Sequence, residues 1–108
     1  MSSPSEIPVD RFRTHARELR ERAGGPSGDE VERAINEVYA AVIPLEAVRM
    51  RVSRRLRQSL GKALDPGGPE RLRDYAASLR TLDQDVRALR AVLGELRALP
   101  VEPARPLA

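Results

Sequence analysis

Leu72, Leu79, Val86 and Leu93 recur every seven residues, and Tyr75, Leu82, Leu89 and Leu96 repeat that interval three places later. These are the a and d positions of an unbroken heptad run, the seam along which one helix packs on another. No strand can present such a pattern on one face, because its side chains alternate with a period of two. The run is bounded by Asp65-Pro66-Gly67-Gly68-Pro69 and by Pro100. Proline is tolerated at the first position of a helix and stops one that reaches it. The pattern therefore predicts a helix over 69–99, with Leu72, Tyr75, Leu79, Leu82, Val86, Leu89, Leu93 and Leu96 as its packing seam.

The facing helix is expected from the segment before it. Ser27-Gly28-Asp29-Glu30 has the form of a capping box, in which serine and glutamate satisfy each other's backbone N–H groups. From there Val31, Ile35, Val38, Val42, Leu45, Val48, Val52, Leu56, Leu60 and Leu64 follow helical spacing, predicting a helix over 28–64. Pro44 removes a backbone bond within it, so one helix kinked at Pro44 is expected. The short Pro/Gly link between the two segments predicts an antiparallel hairpin. Counting outward from the turn then places Arg49, on the apolar side of its helix, opposite Asp83 and Asp85. A charge there needs a partner, and an ion pair of Arg49 with Asp83 or Asp85 is predicted.

A shorter helix is expected over 9–23, with Val9, Phe12, Ala16, Leu19 and Ala23 on one face and Gly24-Gly25-Pro26 ending it. Ala77, Gln84, Ala91 and Ala98 line the back of the last helix, a stripe small enough for a second helix to approach. The chain thus reads as all-α, a long antiparallel coiled-coil-like hairpin with an N-terminal helix packed on it, similar to a three-helix bundle. One helical domain over 8–99 is expected, between a disordered leader at 1–7 and a Pro-rich flexible tail at 100–108.

Catalytic and cofactor chemistry find no support. There is no cysteine and one histidine, His15, set among Arg13, Arg17 and Glu18. No phosphate-binding glycine loop, dinucleotide fingerprint, His-Glu-x-x-His or Gly-x-Ser-x-Gly sequence occurs. The carboxylates alternate with arginines at helical spacing, as on solvated faces. A non-enzymatic protein with no cofactor, no metal and no small-molecule substrate is expected.

Charge is the other concentrated feature. Arg49, Arg51, Arg54, Arg55, Arg57 and Lys62 follow one another with no acid between, so this segment alone exceeds the whole chain's +3. On a wheel, Arg51, Arg54, Arg55 and Lys62 gather away from the apolar face, suited to phosphates or to an acidic partner. No aromatic residues interleave, so base stacking is not expected. Two functional expectations follow. The first is a helical assembly or adaptor module that packs with itself or a protein partner. The second is a small basic subunit that contacts nucleic-acid phosphates without sequence preference. The absence of a signal-like leader and of any apolar run long enough to span a bilayer predicts a cytoplasmic protein with no transmembrane segment.

Overall fold

A computed structural model describes residues 9–101. The expectations for 1–7 and for most of 100–108 lie outside that range. Three helices follow in order: α1 (Val9–Glu21), α2 (Gly28–Leu60) and α3 (Gly68–Arg97). The helices α2 and α3 pack most closely, and α1 packs on both. The result is a rod of 72 × 24 × 19 Å.

Each boundary has a local cause. At the start of α2, Glu30 N–H donates to Ser27 Oγ at 3.2 Å, and Ser27 N–H donates to Glu30 Oε1 at 3.4 Å. Helix α2 then runs through Pro44 without a break. Both Pro44 and Ala40 are exposed, so the carbonyl left free by the missing N–H faces water rather than the core. The helix ends at Leu60, four residues short of the stretch read from apolar spacing. Tighter bonds take over there, with Lys62 N–H donating to Ser59 O at 3.0 Å and Asp65 N–H to Lys62 O at 3.1 Å. The chain then reverses through Gly67, whose φ of 78° is left-handed, into Gly68. A β-carbon on Gly68 would lie 2.6 Å from Lys62 O, so only glycine fits this close approach. Leu64, read as part of the apolar face, is instead fully exposed on this turn, because the helix has already unwound. Helix α1 likewise ends at Glu21, leaving Ala23 exposed beyond it.

The antiparallel register is marked by pairs across the hairpin. Arg97 donates to the Tyr39 hydroxyl, and its guanidinium carbon lies 5.4 Å from the centre of that ring. Arg90 pairs with Glu46. The core joins Ala16 and Leu19 of α1 to Val31, Ala34, Val38, Val42 and Leu45 of α2 and to the C-terminal half of α3. Beyond α3, the chain folds back on the α1–α2 turn: the Pro100 carbonyl and the Val101 side chain each approach within 3.4 Å of where β-carbons on Gly25 and Gly28 would stand.

Candidate interaction surface

The seam on α3 is divided along its length. Leu82, Val86, Leu89, Leu93 and Leu96 are buried, whereas Leu72, Tyr75 and Leu79 are only half-buried. The facing side chains follow suit: Val31 to Leu45 supply the buried residues of α2, and Val48, Val52 and Leu56 are half-buried. The seam is therefore filled by the chain's own second helix, most completely at the end that α1 covers.

Two buried apolar residues, Val92 of α3 and Leu99 just beyond its end, fall outside the heptad seam. They share the position just before the seam's first member, and α1 explains them, since a third helix widens the face that must be apolar. The equivalent positions earlier in the chain are Arg71, Ser78 and Asp85, all polar. That change of character along one heptad position is the signal that would have found them. The alanine stripe does not serve this purpose: Ala77, Gln84, Ala91 and Ala98 remain exposed.

Arg49 Nη1 donates to Asp83 Oδ1 at 3.2 Å, with both side chains partly exposed. Asp85 does not share this bond. Asp83 and Asp85 flank opposite sides of the seam, and Arg49 approaches from the Asp83 side. Asp85 Oδ2 is buried without a hydrogen-bond partner among the described residues.

Arg51, Arg54, Arg55 and Lys62 are all exposed, and none forms an ion pair among the described residues. Arg51 and Arg55 border a groove floored by Val48, Val52 and Tyr75. Arg54 borders a different depression, with Arg57, Met50 and Leu79. Each depression is completed by side chains of α3, Tyr75 in the first and Leu79 and Asp83 in the second.

His15 is exposed, in a shallow depression between α1 and α2 with Glu18, Glu30, Arg33 and Glu37. Among the described residues, no three histidine or carboxylate side chains are grouped to hold a metal ion. No described helix is long and apolar enough to cross a membrane.

Intrachain packing also leaves several large apolar side chains uncovered. Ile43 and Met50 on α2 are 63% and 62% exposed, and Leu60 and Leu64 stand open at the hairpin tip. No protein-family model, curated protein or solved structure matches the chain.

Proposed function

We propose that this chain is a non-enzymatic helical assembly module, acting by helix packing with itself or with a protein partner. The observation that carries the reading is the uncovered apolar surface at Ile43, Met50, Leu60 and Leu64. Single exposed apolar residues are ordinary. These four form two groups, one on the outer face of α2 and one at the tip, and burying each large side chain stabilises a contact by about 1.5–3 kcal/mol. A photo-crosslinking residue placed at Ile43, at Leu64, or at exposed Arg20 as control tests it in cells. Discrete adducts from the two apolar positions and none from Arg20 are expected. No adduct at either, with a purified chain monomeric to on the order of 100 μM, would overturn the reading.

A second reading rests on Arg51, Arg54, Arg55 and Lys62, which are exposed and form no ion pair among the described residues. They suit backbone phosphates of nucleic acid, and such binding would weaken by counterion release with a salt slope of roughly −3 to −4. Anisotropy of labelled DNA and RNA at about 50 and 200 mM salt tests it. Binding lost on changing Arg51, Arg54 and Arg55 to Glu supports this reading, and no binding at the lower salt removes it.

A further inference from the structure

The outer face of α2 has an order that its inner face does not need. Opposite the core residues Ala34, Val38 and Leu45, one stripe runs through Asp29 and Glu32, then Ile43, Ala47 and Met50, then Arg54 and Arg57. All seven are exposed. Its start is acidic, its middle apolar and its end basic. None of the four charged residues forms an ion pair among the described residues.

We infer that this stripe binds a second copy of the same chain, with the two α2 helices antiparallel about a two-fold axis near Leu45. The inference rests on the assembly reading and names its partner. A two-fold contact is self-complementary: whatever one copy places at one end, the other presents at the opposite end. With the axis at Leu45, Ile43 lies across from the partner's Ala47. Glu32 lies beside the partner's Arg57, and Asp29 lies about one turn from it. Parallel pairing would set acid on acid and base on base, at a cost of like-charge repulsion. The alanine at 47 leaves room for Ile43, so the helices can approach as closely as packed helices do, about 8–10 Å between axes.

Size sets the strength. From Asp29 to Arg57 the stripe is about 42 Å long at 1.5 Å per residue. With a contact about 10 Å wide, the footprint is roughly 400 Å² per copy, below the roughly 800 Å² of a standard stable interface. The dimer is accordingly weak, and its charged ends make it sensitive to salt.

Sedimentation equilibrium of the full chain tests this, at about 50 and 500 mM salt, where the screening length falls several-fold. A monomer–dimer equilibrium weakened by salt is expected. Ile43→Glu with Met50→Glu, both at exposed positions, should leave helicity unchanged and abolish the dimer. Arg54→Glu with Arg57→Glu should raise the dissociation constant about tenfold, and adding Asp29→Arg with Glu32→Arg should restore it. A nitroxide attached at Gln58→Cys reports orientation: antiparallel pairing holds the two labelled backbones about 40 Å apart, parallel pairing within about 10 Å. A chain monomeric at low salt, a dimer indifferent to Ile43→Glu/Met50→Glu, or a short label distance would each overturn the inference. Adducts at Leu64 in cells would still stand in those cases, so the assembly reading would survive with a different partner. Absence of both dimer and adducts would remove both.

Discussion

Leu93 and Leu79 occupy the same heptad position on α3, two repeats apart, and differ in what surrounds them. Leu93 is buried where α1 covers the hairpin, and Leu79 is half-exposed where α2 and α3 stand alone. The repeat that draws two helices together is the same in both places. What differs is the position before it, apolar at Val92 and Leu99 and polar at Arg71, Ser78 and Asp85. A two-helix seam leaves one flank of every leucine in water, and a third helix removes that flank. The body and the tip of this hairpin are thus one motif in two states of completion. The incomplete part is also the part with the exposed Arg51, Arg54 and Arg55 and the exposed leucines.

The largest expected effect separates these two states directly. Leu93→Ala removes a buried side chain and leaves a cavity, and should cost about 3 kcal/mol in urea unfolding. Leu79→Ala removes a half-wet side chain with water to fill the space, and should cost about 1 kcal/mol. Equal costs would mean that the tip is as closed as the body. Hydrogen exchange sharpens the same contrast. Amides of 50–60 and 70–80 should exchange about tenfold faster than those of 82–96, because few buried contacts oppose their local opening.

Glycines give a smaller pair of effects with opposite signs. Gly68→Ala drives a β-carbon into the Lys62 and Ala63 carbonyls at the tip turn, and should destabilise by more than about 1 kcal/mol. Gly94 sits inside α3 in the body, and a β-carbon there meets nothing within 4 Å. Gly94→Ala should stabilise by roughly 0.5–1 kcal/mol through its helix preference alone. Thermal unfolding of both variants checks the signs. If Gly68→Ala were neutral, the turn would have freedom to shift, and the tip would be looser than its backbone contacts imply.

The same contrast explains what could be read from sequence. The helices of the body were legible because their signals are local or periodic: the Ser27–Glu30 box, the heptads, and the breaks at Gly24-Gly25-Pro26 and Asp65–Pro69. The end of α2 was not. Leu60 and Leu64 keep the apolar spacing of the helix, and nothing in that spacing tells that the turn begins at Gly61. Apolar periodicity reports what a helix would bury if it continued and something lay opposite. That Arg51 and Arg55 border one groove and Arg54 another was hidden for a related reason, since α3 completes both depressions and a wheel of α2 alone omits it. Uncovered surface is a property of the assembled helices, so the Ile43–Met50 stripe emerges only once the core has claimed the other face.

The smallest expected effect sits on the boundary between the two halves. Arg49 and Asp83 meet where the buried stretch of the seam gives way to the half-buried one, and their side chains are 40% and 44% exposed. At that exposure water screens the pair, and a double-mutant cycle of Arg49→Ala and Asp83→Ala should give a coupling of about 0.5 kcal/mol. It should shrink further at about 500 mM salt, where the screening length falls below 5 Å. A coupling several times larger and insensitive to salt would mean that the pair is desolvated, as charge pairs removed from water are costly to break. That result would move the boundary outward past Arg49, and would require something beyond α1, another copy or a partner, to cover the tip in solution.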